Sequence, residues 1–186
     1  VILMRGERIE RIGTTDALGR KTSTTYDELD RTRIRTNAQN GVTQFSYDAV
    51  GNLLSLTDPL GHTTSFSYDN MNRLVTRTTP LGKTDRRHYD ANGNLDSFVD
   101  RRGQGSEFAY DELNRLSGEF YRDGPVNHFY DAQSRLIRIA DSIGGNFTFF
   151  YDEVGRTTSA TTQFGAVEYV YDDVGQVLSR QVVGQP

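Results

Sequence analysis

Tyr68-Asp69-Asn70-Met71-Asn72-Arg73-Leu74 decides how this chain folds, because its opening dipeptide recurs from one end of the sequence to the other. Tyr-Asp stands at Tyr26-Asp27, Tyr47-Asp48, Tyr68-Asp69, Tyr89-Asp90, Tyr110-Asp111, Tyr130-Asp131, Tyr151-Asp152 and Tyr171-Asp172, at intervals of 20 or 21 residues. Eight of the ten tyrosines are used in this way, so the chain is a repeat protein.

Lining the copies up against one another shows what each position does. Four residues after each Tyr comes Asp30, Gly51, Asn72, Gly93, Asn114, Ser134, Gly155 or Gly175, mostly residue types that tolerate a positive φ. The fifth position is always polar and is Arg31, Arg73, Arg115, Arg135 or Arg156 in five copies. The sixth is aliphatic in six: Leu53, Leu74, Leu95, Leu116, Leu136 and Val177. Asp at the start of a type I turn, with Gly or Asn three residues on, is the signature of a three-residue hairpin loop closed by a G1 bulge. The Asp carboxylate can accept backbone N–H bonds inside that turn. Register follows: each Tyr lies across from the residue six positions later, so Tyr68 faces Leu74. One step further out, Phe45, Phe66, Phe108, Phe149 and Tyr169 are expected to oppose Ser55, Thr76, Gly118, Ser159 and Ser179. A large ring against a small residue contributes about 0.2–1 kcal/mol per pair. The Asp-to-Arg pairs, such as Asp69 with Arg73, are expected on the opposite, solvated face, where each is weak.

A second kind of turn lies between the Tyr-Asp turns, at Asp16-Ala17-Leu18-Gly19, Asp58-Pro59-Leu60-Gly61, Asp100-Arg101-Arg102-Gly103 and Asp141-Ser142-Ile143-Gly144. Its chemistry is the same. Segments between turns, such as Thr63–Tyr68 and Asn146–Tyr151, are rich in Thr, Phe and Tyr and too often punctuated by Gly or Asn to be helices. The sequence therefore predicts an all-β fold: a repetitive antiparallel β-hairpin meander of about sixteen strands, with turns alternating between two edges. Sixteen strands about 4.8 Å apart make a strip on the order of 75 Å wide, which strand twist must curl into a curved sheet. The Asp of the second turn recurs only in alternate copies, giving a larger unit of 41 or 42 residues. A four-bladed propeller has that period, but both hairpins share one turn chemistry and no strand is set apart as an inner one.

Composition narrows the function. Hydrophobic residues make up 35% of the chain, and no run approaches the roughly 18 apolar residues that span a membrane. A net charge of −4 argues against a general nucleic-acid binder. With no Cys there is no disulfide framework and no thiol nucleophile. The chain opens on Val1 inside a degenerate copy, where Glu10-Arg11-Ile12 replaces Asn-Arg-Leu, and stops at Pro186 before another Tyr-Asp. Residues 1–186 are accordingly expected to be one YD-repeat region cut from a longer protein.

The motif Gly-x6-Tyr-Asp-x2-Gly-Arg-Leu, fullest at Gly61–Leu74 and Gly103–Leu116, resembles that of the RHS or YD-repeat family, and the resemblance covers essentially the whole chain. Members of that family include bacterial polymorphic toxins, insecticidal toxin-complex subunits, wall-associated proteins and animal teneurins. The resemblance implies a β-sheet strip that spirals into a hollow shell, a secreted or cell-surface location and, in toxin members, an enclosed C-terminal effector domain. Asn52, Asn94 and Gln176 depart from the motif's Arg, and Thr32 and Thr157 from its Leu; these departures are expected to weaken individual hairpins.

No constellation for chemistry stands out. His62, His88 and His128 fall at three different repeat positions, so nothing gathers them into a metal site. Asp90-Ala91-Asn92-Gly93-Asn94-Leu95-Asp96 superficially resembles a calcium loop, but its Gly is at the fourth place and no Glu closes it at the twelfth. Asp58-Pro59 sits inside an ordinary repeat turn and is not a cleavage site, the self-cleaving segment of cargo-releasing family members is not found, and nothing after Tyr171 reads as an effector domain. The reading is a structural, non-enzymatic wall segment with no catalytic residue, metal or cofactor. Its expected partners are neighbouring repeats, its own sheet edges and an enclosed effector. The rival is a glycan- or cell-surface-binding module whose tyrosine rows stack sugars.

Overall fold

The computed structural model describes residues 11–184, with side chains from residue 13 onward. Seventeen β-strands and no helix occur among the described residues. The strand beyond the expected sixteen is Arg11–Thr15, the return strand of the degenerate first copy, which pairs antiparallel with Lys21–Tyr26.

The chain forms two compact units. In the first, the described residues up to 87 with 99–103, every strand from Arg11–Thr15 to Thr84–Tyr89, which begins in this unit, pairs antiparallel with its neighbour in sequence. In the second, residues 88–98 with the described residues from 104 on, the same order runs from Gly105–Tyr110 to Val177–Gly184. A meander follows directly from the sequence, because each short turn leaves no room for a crossover.

All eight Tyr-Asp loops share one geometry. Asp69 N–H donates to the Arg73 carbonyl at 3.0 Å, and Asn72 N–H donates back to the Asp69 carbonyl at 3.0 Å. The fourth loop residue takes the left-handed conformation, from Asp30 at φ 58° to Gly51 at φ 101°. The second turns use the same loop even where Asp is absent, at Asn37 and Thr79. The two 20-residue intervals have a physical cause: the return turn there shortens to two residues, Arg122-Asp123 between Tyr121 and Gly124, and Gln163-Phe164 between Thr162 and Gly165.

One expectation about register is corrected. Tyr47 does lie across from Leu53 and Tyr68 from Leu74, but the register then slips by one residue. Phe45 opposes Leu56, Phe66 opposes Arg77, Phe108 opposes Glu119, Phe149 opposes Ala160 and Tyr169 opposes Arg180. The small residues Ser55, Thr76, Gly118, Ser159 and Ser179 instead oppose Ser46, Ser67, Ala109, Phe150 and Val170. The cause is a second bulge, beyond the G1 bulge of the loop, in which Leu54 and its counterparts are left without a partner. It lets residues three apart, Leu53 and Leu56, share the face of Tyr47 and Phe45. On the reverse face Ser46 and Ser55 join their hydroxyls at 2.6 Å, as do Ser67 and Thr76.

Neither unit has a core in the usual sense. Among the described residues no hydrophobic side chain is buried, and only Ser23 and Asp85 are buried among polar ones. The tyrosine face is half-covered at best, as expected of a sheet without a second layer packed on it.

Candidate functional site: the tyrosine and arginine ladder

With no hydrophobic side chain buried among the described residues, the repeat signature supplies the side-chain links that supplement the backbone ladder joining each hairpin to the next. Each loop carboxylate is saturated locally. Asp69 Oδ1 accepts the N–H groups of Met71 at 2.9 Å and Arg73 at 3.0 Å, while Oδ2 accepts Arg73 Nε at 2.7 Å. Asp27 with Arg31, Asp111 with Arg115, Asp131 with Arg135 and Asp152 with Arg156 repeat the arrangement. The Asp69 carboxyl is held below the ordinary carboxylate range, first by the Arg73 backbone N–H, with partial desolvation opposing and the Arg73 side chain assisting. For Asp111 the Arg115 side chain leads, followed by the Arg115 backbone N–H.

These pairs do not lie on the face opposite the tyrosines, which corrects the sequence expectation. Arg31, Arg115, Arg135 and Arg156 each reach forward over the ring of the next repeat. Arg31 sits 4.8 Å from the centre of Tyr47, Arg115 4.5 Å from Tyr130, Arg135 4.8 Å from Tyr151 and Arg156 4.7 Å from Tyr171. Arg31 also donates through Nη1 to the Asp48 carbonyl of the next loop at 2.8 Å. The side chains of Asp27 and Arg31 are consequently only about a quarter exposed. The planar guanidinium suits this double role: its edge meets a carboxylate and its face a ring.

Tyrosine completes the link in the reverse direction. Tyr47 Oη donates to the Thr32 carbonyl at 2.9 Å, Tyr68 to Leu53 at 3.0 Å and Tyr110 to Leu95 at 3.0 Å. Tyr130 donates to Leu116, Tyr151 to Leu136 and Tyr171 to Thr157, at 2.7–2.8 Å. Every acceptor is the sixth-position residue of the preceding hairpin. Desolvation pushes the Tyr47 phenol up, and the charge of Asp27 adds to it. One hydroxyl bond at about 0.5–1.5 kcal/mol and one cation–π contact at about 0.5–1 kcal/mol link Tyr47, Tyr130, Tyr151 and Tyr171 to the preceding repeat, an additive stability typical of arrays.

The departures from the motif keep the link. Asn52 Nδ2 donates to Asp48 Oδ2 at 2.9 Å and reaches Asn72 Oδ1 of the next loop at 2.9 Å. Asn94 does the same with Asp90 at 3.0 Å and Asn114 at 2.8 Å. Asn is thus a shorter version of the arginine bridge. Both carboxylate oxygens of Asp90 are engaged inside its own turn, where the calcium-loop pattern would have needed them for a cation.

Sequence reasoning missed the ladder, although its signal was present: Tyr, and Arg five residues later, recur every second strand. It also missed a cluster at the irregular copy, where His128 Nε2 lies 2.8 Å from Glu119 Oε1 and Tyr121 donates to Glu119 Oε2. That bond, with desolvation, pushes the Tyr121 phenol up to about 12. His62 and His88 sit beside different carboxylates, Asp58 at 3.1 Å and Asp96 at 2.6 Å. The three histidines are not brought together.

The model of the family described as RHS Repeat matches residues 31–63 and 47–84. No curated protein matches the chain. Among solved structures, the crystal structure of TcdB2-TccC3-TEV resembles it with a TM-score of 0.68 and 18% identity over 96% of this chain and 11% of that one. The Photorhabdus luminescens Tc holotoxin pore, with a mutated TccC3, gives 0.68 and 17% over 95% and 11%. TcdB2-TccC3-Cdc42 gives 0.59 and 16% over 94% and 12%. The chain therefore spans about a tenth of the length of the chains it resembles, and at these identities the likeness is one of fold. The family match over residues 31–84, eight Tyr-Asp hairpins of one loop geometry and this shared fold together support assigning the chain to the RHS-repeat, or YD-repeat, family.

Proposed function

We propose that this chain is a stretch of wall in an RHS shell that encloses or presents a toxin or effector domain, and that it acts mechanically, without catalysis. It would work outside the cell or at its surface, as part of a longer chain whose YD-repeat region includes residues 1–186. The observation that carries the reading is that, among the described residues, neither unit buries a hydrophobic side chain under a second layer. The accessible surface is 13360 Å² for 21.0 kDa, whereas a folded monomer of that mass exposes about 9,000 Å². An excess of about 4,000 Å² exceeds a standard protein–protein interface of about 1,600 Å². A wall has that property, because neighbouring repeats and contents cover it.

The signature residues then have a mechanical role: Tyr and Arg tie hairpin to hairpin while Asp and the left-handed residue set the turn. The glycan-binding reading draws less support, since guanidinium groups cover tyrosine rings and the hydroxyls are spent on backbone carbonyls. Static light scattering of the purified chain over a hundredfold concentration range is the test. The last strand, Val177–Gly184, is exposed throughout and pairs only with Gly165–Tyr171 among the described strands, so association through its free edge is expected. A stable monomer at every concentration would sink the wall reading.

A further inference from the structure

One repeat departs from its neighbours on the tyrosine face. Four residues before Tyr89 stands Asp85, where the flanking repeats place Thr64 and Ser106, and two residues before it stands Arg87, where they place Phe66 and Phe108. Arg77 lies across from Asp85 on one side and from Phe66 on the other. The turn Asp100–Gly103 adds Arg101, whose Nε is 3.7 Å from Asp85 Oδ2. All four charged residues belong to the first unit. Three arginines thus share this ground with one carboxylate, a local excess of positive charge in a chain whose net charge is −4.

Asp85 is 5% exposed, its Oδ1 has no hydrogen-bond partner, and neither does Arg77 Nε. A buried carboxylate oxygen without a donor is costly, and folded proteins rarely keep one. Arg101 does not supply the donor: 3.7 Å is beyond hydrogen-bond reach, and its side chain is 53% exposed, so it can swing aside. The cluster lacks a donor for Asp85 and an acceptor for Arg77. A phosphate or carboxylate ion by itself offers chiefly acceptors. An extended peptide with acidic side chains offers both, backbone N–H groups for the carboxylate and carboxylates for the guanidinium forks. Resting on the wall reading, in which other polypeptide lies against the sheet, we infer that Arg77, Asp85 and Arg101 form a socket for an acidic peptide segment. Arg101 is its movable cover, and Arg87 adds to its positive field.

The test is fluorescence anisotropy of a fluorescein-labelled octapeptide of alternating Gly and Glu, titrated with the whole chain in low salt. Saturable binding is expected, and none with the Gly-Gln counterpart. Arg101→Gln should weaken it about tenfold, as the loss of a charge-assisted pair. Arg102→Gln removes the same charge from the neighbouring side chain, 79% exposed, and should change it by less than about twofold. Both substitutions lie in one exposed turn, so the fold tolerates them. Asp85→Asn keeps the shape and makes the cluster more positive: plain attraction would tighten the peptide, whereas a socket that needs the ionised acceptor weakens by about threefold or more. Equal losses from the two arginine changes, or a tighter Asp85→Asn complex, would overturn the socket. So would displacement of the peptide by inorganic phosphate but not by chloride at matched ionic strength, which would make this an oxyanion site. Association in light scattering without peptide binding refutes the socket and leaves the wall reading intact. A monomer that binds the peptide with the expected variant pattern refutes the wall and leaves the socket.

Discussion

Replacing Gly165 by Ala is expected to cost far more than replacing Gly155 by Ala, though both glycines have positive φ and close turns in the same unit. Gly155 ends the Asp152 loop at φ +88°, and an added Cβ would meet nothing within 4 Å. Its cost is that of the backbone conformation alone, about 1–2 kcal/mol for an L-residue. Gly165 follows the two-residue turn at φ +142°, and a Cβ there would lie 2.5 Å from the Val183 carbonyl oxygen and 3.2 Å from Gly184 Cα. Those are backbone atoms of the paired strand, which cannot rotate aside. Relief means detaching the end of the Gly165–Gly184 ladder, so one or two backbone hydrogen bonds are lost on top of strain, about 3 kcal/mol or more in all. Urea unfolding followed by far-ultraviolet circular dichroism gives both values, with an unchanged denaturant slope showing that the same surface unfolds. Equal costs for the two substitutions would refute the close approach and leave only the φ penalty.

Tyr130→Phe should destabilise by about 1 kcal/mol, because it removes the 2.8 Å bond to the Leu116 carbonyl and keeps the ring under Arg115. Tyr130→Leu should lose about a further 0.5–1 kcal/mol, and an identical unfolding midpoint for both would mean that the guanidinium contact contributes nothing. Ser46→Cys with Ser55→Cys should oxidise to an intramolecular disulfide, visible as protection from alkylation, whereas Phe45→Cys with Ser55→Cys should not; the reverse result would restore the register without the second bulge. Acid should unfold the repeats through the loop aspartates. The folded-state values of Asp69 and Asp111 lie below the ordinary 3.8, so their contribution is complete above that value and is lost as pH falls through the lower folded values. A dichroism titration that loses the sheet well above pH of about 4 would contradict this linkage.

The reach of the sequence was set by the reach of the interactions. Turn type, loop length and the left-handed position at Asn72 or Gly51 are local: an Asp carboxylate bonding N–H groups two and four residues on needs no tertiary partner, so Tyr-Asp spacing alone identified the hairpin and the meander. Even the change from 21- to 20-residue intervals corresponds to one residue removed from a return turn. The second bulge was not legible, because whether Leu54 pairs or is left out depends on which of two registers packs Phe45 against Leu56 and joins Ser46 to Ser55. Alternation along one strand permits both. The arginine side was misassigned for the same reason: Asp69 and Arg73 meet inside one loop, but the ring that an arginine covers belongs to another hairpin about 20 residues on, as with Arg115 and Tyr130. Only the tertiary structure brings those two together, by placing every second strand's tyrosine beneath the preceding loop, and that contact adds a side-chain link to the backbone ladder that already joins one hairpin to the next.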